Sequence, residues 1–224
     1  KAKVKGTEDF AWGLVNHNTG KVVSDPLFEK VFSSDWRTSP NARVIYAGSG
    51  KYALLALNGK TTTFENAAFI GPFCDSIARI NLGGRIEWSK SVAIDTILSD
   101  LSRDRFSNEI KTNYQYCRGG KWGYIDPNGK WLKPVEYESA LDFDGNLARI
   151  KAKGKWGAVN KAFAVVVEPK FDFIERLFTI NDRTLFAVGE DRTAYGFVDQ
   201  KGEIFIQPRF AEVGHFSEGL VKIR

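Results

Sequence analysis

The sequence predicts an all-β fold made of tandem repeats of about 35 residues. Alternating apolar and polar residues, as in "LARIKAK", are typical of half-buried strands. Tight-turn sequences such as "DPNGK" separate the alternating stretches and indicate hairpins. Most clearly, a Trp-Gly pair recurs, at Trp12-Gly13, Trp122-Gly123 and Trp156-Gly157, with the weaker copies Tyr52-Ala53 and Tyr195-Gly196.

Each repeat is expected to contain three antiparallel strands joined by two tight turns. In the unit that starts at Leu147, "LARIKAK" is the first strand, "KWGAVN" the second and "AVVVEP" the third. The third strand is expected to end at a proline. Proline has no N–H to donate, and it is tolerated at a strand end because no hydrogen bond is needed there. Pro26, Pro134, Pro169 and Pro208 hold this position.

A return segment follows each third strand. Its apolar residues lie three apart, as in Tyr137, Ala140 and Phe143, and as in Phe210, Val213 and Phe216. A spacing of three is typical of one helical or 3₁₀ turn with an apolar edge. The return segment is therefore expected to be a single helical turn.

The repeat predicts one array of about six units. A third, degenerate copy is assigned to "GGRIEW", near Ile86. Stacking in an open β-solenoid or superhelix is favoured over a closed propeller-like ring, because propeller blades usually have four strands. The chain lacks methionine and ends on an unpaired first strand, so it is expected to be part of a longer protein. The predicted unit boundaries are 1–41, 42–77, 78–109, 110–146, 147–184 and 185–224.

A recurring pattern is present: "GKWG" is followed by an aromatic residue, an aliphatic residue and Asp, and then by "GK", Pro and "AR". In this pattern the chain resembles the WG repeat family, which is widespread in bacteria. The best matches are residues 118–159 and 195–222, and "GGRIEW" departs most. The resemblance implies a repetitive β scaffold with an interaction role and no shared catalytic motif. Some WG repeat proteins look like immunity partners of bacterial toxins, so this is one implied role.

Composition and motifs argue against enzyme classes. The only histidines, His17 and His215, show no spacing to Cys74 or Cys117 that indicates a nucleophile. No phosphate-binding loop opens a helix, and neither a metal nor another cofactor is expected. No apolar run reaches about 18 residues, so no membrane span is expected. A soluble, non-catalytic protein is predicted, with the cytoplasm favoured over the periplasm.

The Trp-Gly positions are interpreted as packing residues. Tyr replaces Trp at Tyr52 and Tyr195, and a packing ring tolerates that exchange better than a ligand-binding ring does. The glycine is then a point where another backbone approaches closely. The alternative is a carbohydrate or small-ligand module in which each Trp is an exposed platform.

A column of basic residues is predicted on the first strands. Its functional interpretation is a surface that steers an acidic protein partner. The favoured alternative is internal pairing with acids that recur in the return segments, namely Glu29, Glu65, Glu138 and Asp172. Nucleic acid is an improbable partner, since 27 acids nearly balance 32 bases. The basic residues are Lys3, Arg43, Arg79, Lys111, Arg149 and Lys222.

Two insertions break the repeat, and insertions often carry specificity because the scaffold does not constrain them. "SSDWRTSPN" at 33–41 places Trp36 and Arg37 on a predicted surface loop, and both types are common interface anchors. The segment 95–109 is expected to form a short surface helix or to pack its own apolar edge. The leading hypothesis is a protein-binding scaffold whose partner has an acidic surface.

Overall fold

Antiparallel β-sheets make up the described chain, as the sequence predicts. A computed structural model describes residues 2–3, 10–28, 30–31, 42–46, 52–56, 58–89, 114–180, 183–190, 194–217 and 220–224. These residues contain strands and turns but no helix, so the all-β prediction is confirmed. None of them forms a helix long and apolar enough to cross a membrane. Two compact units are present, Lys1–Glu136 and Tyr137–Arg224.

The first three sheets follow each other along the chain. Strands β1 (Ala2–Lys3), β2 (Phe10–Val15) and β3 (Val22–Phe28) form the first sheet in the order β1-β2-β3. The second has the order β4-β5-β6-β7, from Lys30–Val31, Ala42–Tyr46, Tyr52–Ala56 and Thr61–Thr63. The third has the order β8-β9-β10-β11, from Ala67–Ile70, Ala78–Ser89, Tyr114–Ile125 and Trp131–Tyr137.

The remaining strands repeat this order. The fourth sheet contains β12 to β15, which are Ser139–Ala140, Leu147–Ala152, Lys155–Asn160 and Val165–Phe171. The fifth contains β16 to β19, which are Phe173–Ile180, Arg183–Glu190, Ala194–Asp199 and Ile204–Phe210. The sixth has two described strands, β20 (Val213–Ser217) and β21 (Leu220–Ile223).

The return segment is a β-strand, and the predicted helical turn is wrong. In the fifth sheet β16 pairs with the following first strand, with Ile174 opposite Val188. In the fourth sheet Ala140 lies opposite Ile150, and the chain then turns through Phe143 before β13 begins. The spacing of three therefore comes from a short strand followed by a tight turn. A complete sheet has four strands in the order return, first, Trp-Gly and third, where the sequence predicted three.

The third strands of the first, fourth and fifth sheets carry a bulge opposite the Trp-Gly pair. Trp156 lies opposite Phe171 and Ala158 opposite Val167, so β15 has two extra residues between these pairs. The first and fifth sheets show the same shifts, at Trp12 and Tyr195. Pro169 lies inside the bulge, and β15 continues past it to Phe171. The strand therefore does not end at the proline, because an edge strand with a bulge accommodates it.

The glycine of the pair faces this bulge. A Cβ on Gly157 would clash with the carbonyl oxygen of Val167 and lie 2.8 Å from the nitrogen of Pro169. A Cβ on Gly196 would lie 2.5 Å from the nitrogen of Pro208. In the second sheet β7 pairs with β6 without a shift, and there the position is Ala53. Glycine is thus required where the proline bulge brings another backbone close, and alanine suffices where it does not.

An acidic or amide side chain caps the turn after the Trp-Gly strand in the third, fourth and fifth sheets. Asp126 Oδ1 accepts hydrogen bonds from the N–H groups of Asn128 (2.9 Å) and Lys130 (2.8 Å). Asn160 and Asp199 accept two backbone N–H groups each in the same way. This role explains why the Trp-Gly motif is followed by Asp or Asn three residues later.

Asp126→Ala is expected to destabilise the protein by roughly 1–3 kcal/mol, because two turn N–H groups lose a charged acceptor. Chemical denaturation followed by circular dichroism measures the change. Asp126→Asn is the matched control, since the chain itself uses Asn160 in this role. The expectation fails if the alanine and asparagine variants are equally stable.

Candidate functional site: an arm inserted into the third sheet

The first strand and the Trp-Gly strand of the fourth sheet are joined by a two-residue turn. In the fourth sheet these residues are Lys153 and Gly154, with φ of 52° and 75°. Two successive positive φ angles define the type I′ turn that matches the twist of a β-hairpin. Ala152 and Lys155 form the last strand pair before the turn.

The third sheet has a long insertion at this turn. Leu82 pairs with Lys121 and Ile80 with Gly123, in the register that Ala152 and Ile150 have in the fourth sheet. Gly83 and Gly120 stand where Lys153 and Gly154 do, and they keep positive φ angles of 78° and 70°. Residues 84–119 are therefore inserted between the two residues of a type I′ turn. We call this insertion the arm.

The arm changes the expected division of the repeats. The sequence assigned Ala78–Ser89 and Tyr114–Ile125 to separate units, 78–109 and 110–146. The two strands instead pair with each other along the third sheet. "GGRIEW" is thus not a degenerate Trp-Gly strand but the first strand of the arm. The misassignment arose because the insertion is close to one repeat in length.

A buried asparagine clamps the base of the arm. Asn81 Nδ2 donates to the carbonyl of Gly119 (3.2 Å), and Asn81 Oδ1 accepts from the N–H of Gly84 (3.0 Å). Asn81 is fully buried. A Cβ on Gly120 would lie 2.5 Å from Asn81 Oδ1 and would also clash with backbone atoms of Gly84 and Leu82. The glycines make room for the clamp, which holds both strands as they leave the sheet.

One face of the arm carries a polar cluster of four side chains. Arg85 lies opposite Arg118 and Glu87 opposite Tyr116. Glu87 Oε1 pairs with Arg85 Nε at 2.6 Å, and Glu87 Oε2 with Arg118 Nε at 2.8 Å. Tyr116 donates its hydroxyl to Glu87 Oε2 at 2.6 Å. The side chains of Arg85 and Arg118 are 73% and 60% exposed, so the cluster presents oriented guanidinium groups to solvent.

The hydrogen bond from Tyr116 is the main reason why the pKa of Glu87 lies below its usual range, with Arg85 and Arg118 adding to the effect. Tyr116→Phe is therefore expected to raise the pKa of Glu87. An NMR titration of the Glu87 side chain measures it, with Tyr137→Phe as a control outside the cluster. An unchanged Glu87 pKa in Tyr116→Phe would show that the hydroxyl does not hold the carboxylate.

The opposite face of the arm is apolar near its base. Ile86 and Cys117 lie opposite each other and both are half-buried. Burial raises the pKa of the Cys117 thiol to about 11, against a smaller opposing effect of the Arg79 charge. The thiol is therefore protonated at neutral pH.

Within the described part of the chain, no group of three or more His, Cys, Asp or Glu residues is placed to hold a metal ion.

Aromatic residues of the Trp-Gly positions pack inside the sheets. Trp122 and Trp156 are 4% and 2% exposed. Tyr52 is buried and packs on Phe69, and Tyr195 packs on Phe173, with ring centroids 5.8 and 4.7 Å apart. Trp12 is 39% exposed, in the first sheet, where no return strand is described. Buried rings at Trp122 and Trp156 cannot serve as exposed platforms for a ligand.

The predicted column of basic residues is only partly in register. Arg79 and Arg149 both face the residue two after the Trp. In the second sheet that residue faces Val44, so Arg43 is one residue away and on the other face of the strand. Lys3 pairs with Phe10 and also lies out of register. Lys111 lies outside the described residues, as do Trp36, Arg37, Glu29 and the segment 95–109.

Arg79 does not present its charge to a partner. Its guanidinium is buried and lies over the rings of Phe69 (5.4 Å) and Trp122 (5.2 Å).

The other predicted basic and acidic residues have separate environments. Arg149 is half-buried and donates to the carbonyl of Ile174 at 3.2 Å. Lys222 is exposed. The acid Asp172 pairs with Lys155 at 2.7 Å, and Glu138 accepts from the N–H of Gly154 at 2.9 Å. The prediction of a continuous basic surface on the first strands is therefore wrong.

Sequence reasoning missed the residues that build the arm. The signal was present as two Gly-Gly pairs, Gly83-Gly84 and Gly119-Gly120, which flank the segment where the repeat is lost. When a long insertion separates the two left-handed residues of one turn, a glycine is expected at each end of the insertion. The polar cluster gave no signal, because Arg85, Glu87, Tyr116 and Arg118 meet only through cross-strand pairing.

Comparison with known families agrees with the geometry. A family model described as WG containing repeat matches residues 12–35, 122–156, 156–179 and 195–224, which together make up half of the chain. The matched segments contain four of the Trp-Gly-type strands, and the arm lies between two of them. No curated protein matches the chain. With its recurring Trp-Gly strands and proline bulges, the chain belongs to the WG containing repeat family.

Proposed function

We propose that the chain is a non-catalytic protein-binding scaffold and that the arm carries its specificity. The observation that supports this most is the register on either side of the insertion, which is that of an uninterrupted sheet. Residues 84–119 are thus an insertion that the fourth sheet does not have. A large insertion into a repeated fold is the expected place for a binding function.

The polar cluster favours a partner with acidic groups. Two arginines share one glutamate, so the exposed face of the cluster keeps a net positive charge. Arginine is enriched in the energetic centres of protein interfaces and binds carboxylates through paired N–H groups. Holding Arg85 and Arg118 on paired strands lowers the entropy that they lose on binding. A bacterial toxin with an acidic surface is one partner of this chemistry.

The alternative of a carbohydrate or small-ligand module requires aromatic rings that solvent can reach. Trp122 and Trp156 do not meet this requirement, since each is almost fully buried. Acrylamide quenching of tryptophan fluorescence separates the two functions. Protection of Trp122 and Trp156, assigned through single Trp→Tyr variants, supports the scaffold, whereas quenching of both supports the ligand module.

Binding is tested with an arm-excised protein in which Gly83 is joined to Gly120. The intact and excised proteins are each mixed with the products of neighbouring genes and separated by size exclusion. A complex is expected with the intact chain, and its loss is expected on excision and in Arg85→Glu/Arg118→Glu. Lys121→Glu, an exposed residue next to the arm, is the matched control. Complexes that survive excision would overturn the role of the arm.

A further inference from the structure

The arm leaves the third sheet as a ribbon of two strands. Residues 84–89 of β9 pair with residues 114–119 of β10 without a register shift. On its other side β9 pairs with β8, and this pairing involves only residues 80–82 of β9. Among the described residues, the edge of β9 from Arg85 to Ser89 therefore has no partner strand.

This edge lacks the features that keep other edge strands of the chain from pairing. The third strand β15 is an edge strand, and it carries both a bulge and Pro169. The stretch "RIEWS" at 85–89 contains no proline, and its pairing with β10 is regular. An edge without a proline or a bulge is a template for another strand. A ribbon of two strands is only marginally stable alone, so a further strand would also stabilise the arm.

The residues at this edge are complementary to a second copy of themselves. Arg85, Ile86 and Glu87 are basic, apolar and acidic in this order. When two copies of β9 run antiparallel with Ile86 opposite Ile86, Arg85 of each copy lies opposite Glu87 of the other. Directly opposite residues have Cβ atoms about 4.5–5.5 Å apart, which is within reach of an ion pair. A single two-fold axis therefore pairs all four charges.

The side chains are placed to make these contacts. Arg85 is 73% exposed, and its Nε pairs with Glu87 Oε1 of the same chain. The described residues make no further contact with its guanidinium, so both terminal Nη groups can donate to a carboxylate across the axis. Ile86 lies on the opposite face of the ribbon, half-buried and opposite Cys117. Pairing at Ile86 extends this apolar face from one copy to the other.

We propose that two copies of this chain associate through the edge of β9 in the arm. The two ribbons then form one antiparallel sheet in the order β10-β9-β9-β10, with the two-fold axis at Ile86. A two-fold contact uses the same surface on both copies and closes on itself, so the product is a dimer. Arg118 lies on β10, away from the axis, and stays available to a partner in each copy. The association needs no other protein and is separate from the proposed binding function.

Sedimentation over a range of concentrations tests the association. The average mass of the intact chain is expected to rise from that of one chain towards that of two. Arg85→Glu and Glu87→Arg each place like charges opposite each other, so each is expected to weaken the dimer at least tenfold. Lys121→Glu, which changes the net charge as Arg85→Glu does but lies outside the arm, is the matched control and should dimerise normally. A monomer at every concentration would overturn the dimer and leave the proposed binding function standing.

Mixing the two charge variants tests the register. In the mixed dimer, Arg85→Glu of one chain supplies two acids and Glu87→Arg of the other supplies two bases, so each acid lies opposite a base. The mixture is therefore expected to recover the association that each variant alone has lost. The chain with both substitutions should also dimerise, because it exchanges the two charges and keeps their complementarity. Absence of recovery in the mixture would contradict the register, and assemblies larger than a dimer would contradict the two-fold contact.

Discussion

Trp156→Ala is expected to destabilise the protein by about 3–5 kcal/mol, the usual cost of removing a large buried aromatic ring. Trp156 is buried in a cluster that includes Phe171, Ile174 and Val188, so truncation leaves a cavity between strands. Lys151 also lies with its Nζ 5.9 Å from the ring centroid, and this contact is lost. Denaturation monitored by circular dichroism gives the free energy of unfolding.

The controls for this variant are provided by the chain. Trp156→Tyr should cost less than the alanine variant, because Tyr52 and Tyr195 hold the same position in other sheets. Trp131→Ala should destabilise the protein less than Trp156→Ala, since Trp131 is 37% exposed and its ring makes an edge-to-face contact with Phe64. A larger loss in Trp131→Ala than in Trp156→Ala would show that the Trp-Gly ring is not the packing residue.

Gly157→Ala is expected to destabilise the protein by roughly 2–3 kcal/mol through overpacking. The added methyl group would meet the backbone of Val167 and Pro169 in the bulge, and backbone atoms cannot move aside as a flexible side chain can. The cost is steric, because Gly157 is not among the glycines with a positive φ. Urea denaturation measures the loss.

Val165→Ala is the control for Gly157→Ala, since it changes an exposed residue of the strand that the glycine faces. A surface change of this kind usually alters stability by less than about 0.5 kcal/mol. The free energy of unfolding is therefore expected to fall substantially in Gly157→Ala and to stay almost unchanged in Val165→Ala. Equal stability of the two variants would remove the close approach as the reason for the glycine.

The repeat made the meander of three strands predictable, because alternation and turn residues act locally. "LARIKAK", "KWGAVN" and the strand that follows lie where the pattern places them. The fourth strand was not predictable in the same way. Its apolar residues, such as Ala140 and Phe143, fall three apart only because a short strand and a turn follow each other, and a helical turn leaves the same spacing.

Register explains why the basic column was mostly misjudged. Arg43 and Arg149 stand in similar sequences, "ARVI" and "ARIK", yet they differ by one residue in their pairing with the Trp-Gly strand. One residue reverses the face of a strand, and the local sequence does not contain this information. Burial of Arg79 against the rings of Phe69 and Trp122 depends on the packing of neighbouring strands. Single-strand patterns cannot show such contacts.

Excision of the arm tests most directly whether the WG repeats form the scaffold and the arm is an addition to it. Joining Gly83 to Gly120 leaves two residues that already have the φ angles of a type I′ turn. The melting temperature is expected to stay within a few degrees of the parent protein, with one cooperative transition, because a shorter connection costs less loop entropy. Loss of cooperative unfolding, or a fall as large as that of Trp156→Ala, would show that residues 84–119 are part of the scaffold.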